Sequence, residues 1–113
     1  MREMKHKDLF KGLIRLHILH HAAEEEFYGQ WMIQELARHG YNLSPGTLYP
    51  MLHGMERSGY LTSRKERLGR TFRRFYRATA LGREANKIAK LRVRELVGEL
   101  IEGRGPRPSK RVG

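Results

Sequence analysis

The sequence predicts a mainly α protein with a small β-hairpin, its elements ordered helix, helix, helix, hairpin, helix. Three observations lead there. Apolar residues recur at helical spacing over most of the chain. Two short β-type runs with a Gly in their connection fall before the last helical stretch. The 113 residues, 39% hydrophobic and 31% charged, suit one domain with one modest core.

From about Asp8 to Ala23 the chain is rich in Leu and Ile, with no Pro and only Gly12 as a potential breaker. Leu9, Leu13 and Leu16 follow one helical row, and Phe10, Ile14 and Ile18 another. A helix apolar on several sides needs two burial partners, here its own core and a second subunit. Glu24 to Tyr28 reads as a short connection. The second helix is expected from about Gly29 to His39, with Trp31, Met32, Leu36 and Ala37 as its apolar stripe and Gly40 as its stop. Trp31 reads as a core or interface residue.

Ser44-Pro45-Gly46-Thr47 is a helix start. The Ser44 hydroxyl can accept from a free amide one turn on, and Pro45 suits the first helical position, where no donor is missed. This third helix continues to about Ser58, with Leu48, Leu52 and Met55 as its buried row and Gly59 as its end. Pro50 predicts a locally irregular first turn, or a later helix start, because its ring crowds the carbonyl of Gly46. The β-type runs are Tyr60 to Glu66 and Thr71 to Ala78, joined by Arg67-Leu68-Gly69-Arg70. Thr79 then caps a last helix from about Ala80 to Glu102. About twenty helical residues cannot all pack on one small core, so a partner subunit is their natural cover.

With 23 Lys+Arg against 12 Asp+Glu, the formal net charge is +11, which calls for a polyanionic partner. The charge is uneven. Arg64, Lys65, Arg67, Arg70, Arg73, Arg74 and Arg77 crowd the hairpin with Glu66 as its one acid, and Arg104, Arg107, Lys110 and Arg111 follow in the tail. Glu24, Glu25 and Glu26 form one compact acidic knot. No apolar run approaches the roughly 18 residues of a membrane span, and the basic, polar start is unlike a secretion signal. Without Cys there is no disulfide framework, no thiolate nucleophile and no Cys-based zinc site. These features suit a cytoplasmic protein. The chain also lacks Gly-x-Ser-x-Gly, a Gly-rich phosphate loop and His-Glu-x-x-His, which argues against an enzyme.

Three helices and a basic hairpin are the order of a winged helix-turn-helix, here followed by a long C-terminal dimerisation helix. In that arrangement the third helix enters the major groove of double-stranded DNA and the hairpin is the wing. Ser44, Thr47 and Tyr49 offer hydroxyls to phosphates or base edges, and the helix start offers free amides and a positive dipole end. The wing offers Arg64, Lys65, Arg67, Arg70, Arg73 and Arg74. Each residue also has a plainer reading: Ser44 caps, Tyr49 packs, the arginines solvate a ribbon. Agreement of charge, order and capping favours the DNA reading for the set.

The segment from Tyr41 to His53, Tyr-Asn-Leu-Ser-Pro-Gly-Thr-Leu-Tyr-Pro-Met-Leu-His, resembles the signature of PadR-family transcriptional regulators. Tyr28-Gly29, Gln34-Glu35-Leu36, Glu56 with Gly59-Tyr-Leu61, and Arg73-Arg-Phe-Tyr-Arg77 leading into Thr79 and Gly82 match as well. The likeness runs from roughly Leu13 to Ala85, and the single C-terminal helix is similar to the compact subgroup. It implies a homodimeric repressor that binds inverted-repeat operators through the third helix and wing and is released by an effector. By position, Ser44, Thr47, Tyr49 and the wing arginines would face DNA. The expected dimer interface is Leu9, Leu13, Val93, Leu96 and Leu100. The expected division is a winged-helix domain over 1–79, a dimerisation helix over 80–102 and a basic, disordered tail over 103–113.

One stretch departs from the family's aliphatic run: His17-Ile-Leu-His20-His21-Ala-Ala. His17 and His21 share a helix face, as do His20 and Glu24. Imidazoles and a carboxylate at that spacing can reach one Zn²⁺ or another divalent transition metal; the plainer reading makes them half-buried interface residues. No cofactor is required, and a metal or a small molecule would act as effector between the first helix and the partner's last helix. The rival reading is a metal- or effector-binding interaction module of the same fold that no longer reads DNA. A membrane-surface role is the weakest, since no lysine-bordered amphipathic helix is present.

Overall fold

The computed structural model describes residues 4–103 and Lys110. Its elements are α1 (Lys7–Glu24), β1 (Phe27–Tyr28), α2 (Gly29–Arg38), α3 (Pro45–Arg57), β2 (Leu61–Leu68), β3 (Thr71–Ala78) and α4 (Ala80–Leu100). The fold is mainly helical with a three-stranded antiparallel sheet in the order β1-β3-β2. The proposed disordered tail, apart from Gly103 and Lys110, lies outside the described residues.

Ile14 and Ile18 of α1 meet Met32 and Leu36 of α2, Leu48 and Leu52 of α3, and Leu61 and Tyr76 of the sheet in one buried cluster. Each such apolar side chain contributes about 1.5–3 kcal/mol when fully buried, so these rows of helical period decide which way every helix faces. Both α2 and α3 end alike. Gly40 and Gly59 each adopt φ of +89°. Tyr41 N–H then reaches the Leu36 carbonyl and Tyr60 N–H that of Met55, both at 2.9 Å. This closes the last carbonyls of each helix through a left-handed residue, a position that suits Gly.

The structure differs from the sequence-based expectation in several places. What reads as a connection after Glu24 contains β1, whose Phe27 and Tyr28 pair with Tyr76 and Phe75 of β3; two residues are too few to show a period. The first hairpin strand starts one residue later than expected, at Leu61, and runs on to Leu68, while the second is Thr71–Ala78 as expected, leaving a two-residue turn, Gly69-Arg70, with Gly69 at φ of +63°. Ser44 holds the cap position of α3, yet its hydroxyl caps no amide. The amides of Thr47 and Leu48 reach its backbone carbonyl instead, each at 3.0 Å. Pro50 neither breaks nor delays α3, which is continuous from Pro45. Its ring forgoes one bond, to the Gly46 carbonyl, while Leu48, Met51, Leu52 and Met55 hold the helix against the core. Thr79 does cap α4, its hydroxyl accepting from Gly82 N–H at 3.0 Å, and α4 ends at Leu100, two residues before the expected Glu102.

The start of α4 packs against α1 and the sheet, burying Gly82 and Asn86. Farther along, Ile88, Leu91, Val93, Leu96 and Leu100 stand in solvent, Leu100 at 71% exposure. Leu9 and Leu13 of α1 are likewise uncovered, at 76% and 41%. All five residues expected at a dimer interface are therefore exposed on the single chain.

Candidate nucleic-acid interface

Tyr76 fixes the geometry of the hairpin. It is fully buried, stacks on Phe27 at 5.8 Å and lies opposite Ser63. Side chains alternate along a strand and directly opposed residues share a face, so every other position follows. The face that begins with Tyr76 and Ser63 continues outward through Arg74 and Lys65 to Phe72 and Arg67. The other carries Phe75 and Arg64, Arg73 and Glu66, and Tyr28 from β1.

These two faces treat their cations differently. On the Tyr76 face, the Arg74 guanidinium donates to Ser63 Oγ at 3.0 Å, and Ser63 Oγ donates to Glu56 of α3 at 2.7 Å. That relay ties the hairpin to α3. Farther out, Arg67 lies over the Phe72 ring at 5.7 Å and donates to the Gly69 carbonyl at 3.0 Å. Lys65, and Arg70 in the turn, are exposed and make no hydrogen bond or ion pair among the described residues. On the opposite face, Arg64 is paired with Glu26 and with Glu66 at 3.2 Å and lies 4.9 Å over the Phe75 ring. Both acids hold the Arg64 charge firmly in place, and the Arg64 hydrogen bond keeps Glu26 below the usual carboxylate range. Arg73 sits 3.9 Å over the Tyr28 ring. Of the six wing cations singled out from sequence, Arg64 is paired with two carboxylates and Arg73 stacks on Tyr28, both on the face opposite the one linked to α3.

In α3, Thr47 and Tyr49 are half-buried, and Ser44 Oγ lies 3.4 Å from Thr47 Oγ1. The Tyr49 ring packs on the core with its hydroxyl end against the Gly29 backbone, where any β-carbon would collide with it. Packing therefore claims part of Tyr49. The solvent-facing stripe is instead Gly46, Pro50, His53 and Arg57, spaced four, three and four apart. Sequence reasoning misses His53 and Arg57, although their position opposite Leu48, Leu52 and Met55 on the helix is a signal for them.

The histidines split in two. His17, expected beside His21, turns away to stack on His39 at 5.0 Å and to meet the Tyr41 ring edge at 5.3 Å. His20, His21 and Glu24 bring one donor atom each within 4.8 Å of one another. Within that group, His20 Nε2 is 3.3 Å from Glu24. His21 also faces Glu35 at 3.3 Å, and Glu35 is shared with His39 at 3.1 Å and Arg38 at 3.2 Å. Burial holds His17 and His21 below the ordinary imidazole value. Burial pushes Glu35 up, but the His39 hydrogen bond and the Arg38 and His21 charges outweigh it, leaving Glu35 below its ordinary value. A separate groove of about 590 Å³ runs between α1 and α4, with Leu13, Leu16 and His17 on one wall and Val93 and Val97 on the other.

A three-helix core, an anchored two-strand wing and a capped C-terminal helix make this a winged helix-turn-helix protein. Residues 18–88 match the transcriptional regulator PadR-like family, and the chain belongs to it. It is 46% identical over 97 residues to a transcriptional regulator of Mycobacterium tuberculosis, covering 86% of this chain and 91% of that protein. Among solved structures, it is similar to a PadR-family regulator from Eggerthella lenta, with a TM-score of 0.72, 29% identity, and 86% and 88% of the two chains covered. A PadR-like regulator from Bacillus cereus gives 0.67 and 26%, covering 86% and 99%. The chain is a transcriptional regulator and not an enzyme, and regulators of this family bind DNA. Among the described residues, no helix is long and apolar enough to cross a membrane.

The histidine cluster makes stability depend on pH. His17 and His21 titrate below 6.5 in the fold, so the unfolded chain binds protons that the folded chain does not. Their neutral-form contribution is full above pH 6.5 and is lost as pH falls through 6.5 toward their folded values. Glu35 titrates below 4.5, so its contribution is full above 4.5 and is lost as pH falls below that. Thermal melts should show Tm level above pH 7, then falling in two stages, with the first removed in a His17→Asn/His21→Asn variant. An unchanged first stage in that variant would place the titration elsewhere.

Proposed function

We propose that the chain is a homodimeric, sequence-specific DNA-binding repressor of the cytoplasm, released from its operator by an effector. The observation that carries this reading is the sorting of the wing. Lys65, Arg67 and Arg74 lie on the sheet face linked to α3 through Ser63 and Glu56, while the neutralised Arg64 faces away. A phosphate backbone that meets the α3 stripe would then meet the wing cations too, with His53 and Arg57 added to Ser44, Thr47 and Tyr49 as contacts. A second copy of the chain would cover Leu9, Leu13, Val93, Leu96 and Leu100 and present two such surfaces. In this reading α4 is the dimerisation helix. The α1–α4 groove would take an organic effector, which shifts the dimer from DNA only by its differential affinity for the two states.

A specific arrangement also favours a metal as effector: the convergence of His20, His21 and Glu24, with His17 now outside the set. Three such donors leave a fourth position open to water or a further carboxylate.

Salt titrations on random duplex DNA test the DNA reading. Lys65→Ala and Arg67→Ala should each lower the log–log salt slope by about 0.9, one phosphate's worth of released counterions, whereas Arg64→Ala should leave it unchanged. Equal slopes for all three variants and the parent would remove the wing from the interface. For the metal, calorimetric titration of Zn²⁺ should give clear binding to the parent and at least tenfold weaker binding to His20→Ala, the loss of one of three ligands. Equal affinities would leave the release signal to an organic effector in the α1–α4 groove.

A further inference from the structure

We infer that the cavity at the junction of α1, β1 and α2 binds a small organic cation with an apolar or aromatic body. The cavity measures about 530 Å³, within the roughly 300–1,000 Å³ typical of small-molecule sites. Tyr28, Trp31 and Phe75 line its walls, and Glu24, Glu25 and Glu26 line its rim. On a chain of net charge +11, Glu26 is already paired with Arg64, and Glu24 and Glu25 beside the aromatic wall repel anions and draw cations. Aromatic faces attract cations through their ring quadrupole, most strongly for Trp, and this is how quaternary ammonium groups are held.

The cavity already shows this chemistry with the protein's own side chains. On its wing side Arg64 pairs with Glu26 and lies over Phe75 at 4.9 Å, and Arg73 lies over Tyr28 at 3.9 Å. The remaining wall offers the same pairing without an internal cation. Trp31 is 36% exposed. Glu25 makes no side-chain hydrogen bond or ion pair among the described residues, and Glu24 has the half-exposed His20 as its partner. His21 meets the Trp31 ring edge at 5.3 Å. The site is distinct from the α1–α4 groove, which contains neither Trp31 nor the three glutamates. It is also carried by a single chain.

Trp31 is the only Trp, so its fluorescence reports on this cavity directly. The full chain is titrated at pH 8 in the presence of EDTA with benzyltrimethylammonium, and in parallel with benzenesulfonate and benzyl alcohol. Saturable quenching is expected from the cation alone. Glu25→Gln should weaken it about fivefold or more, and Glu25→Asp should retain most of it, with melting curves confirming that both variants fold. His20→Ala should leave it unchanged, which separates this site from the proposed metal group. The inference is overturned if the anion or the alcohol quenches as the cation does, if quenching never saturates, or if Glu25→Gln binds like the parent.

Discussion

One end of β3 is locked in the core and the other reaches into solvent, and the rest of the functional geometry depends on that asymmetry. Tyr76 and Ala78 are fully buried, and β3 is the central strand, paired on both edges. Strand alternation carries this fixed orientation outward without further contacts. A one-residue slip would send Arg74, Phe72 and Lys65 to the far face and bring Arg64 and Arg73 to the near one. Burial of a single aromatic thus decides which cations stand beside α3.

The charged groups follow from that constraint. Cations on the α3 side have few internal partners beyond Ser63, the Gly69 carbonyl and the Phe72 ring; those on the opposite face are held by Glu26, Glu66 and aromatic rings. A charge already paired with a carboxylate has little to gain from a phosphate, because the existing pair must first be broken. The ribbon therefore has one face suited to a polyanion and one that stiffens its root. The same division leaves the acidic knot on the side away from the α3-facing cations, where it does not cancel them.

Much of this was legible in the sequence because its signals are local. Leu48, Leu52 and Met55 announce the buried row of α3 at helical spacing, Gly40 and Gly59 mark the helix ends, and Thr79 caps α4 through a residue three positions on. What was not legible depends on distance in sequence or on shortness. Arg64 meets Glu26 across 38 positions, and no composition count separates it from Lys65. β1 is two residues long and exists only because β3 offers an edge. The spacing of His17 and His21 places them on one face of α1, but His39 and Tyr41 draw His17 aside, a tertiary contact that helical periodicity does not contain. Ser44 shows the limit of a local rule: its position is the cap, while its backbone rather than its hydroxyl closes the first turn.

In the proposed homodimer, the exposed apolar residues of α1 and α4 would meet a second copy, and the symmetry of that dimer should be written in its target. Selection of bound duplexes from a random pool by the full chain tests this most directly. The expected result is an enriched inverted repeat with half-sites about one helical turn, roughly 10 bp, apart, lost when α3 carries His53→Ala and Arg57→Ala together. A pool that stays random, or a lone half-site without its inverted mate, would rule out a symmetric dimer reading DNA through α3 and the wing.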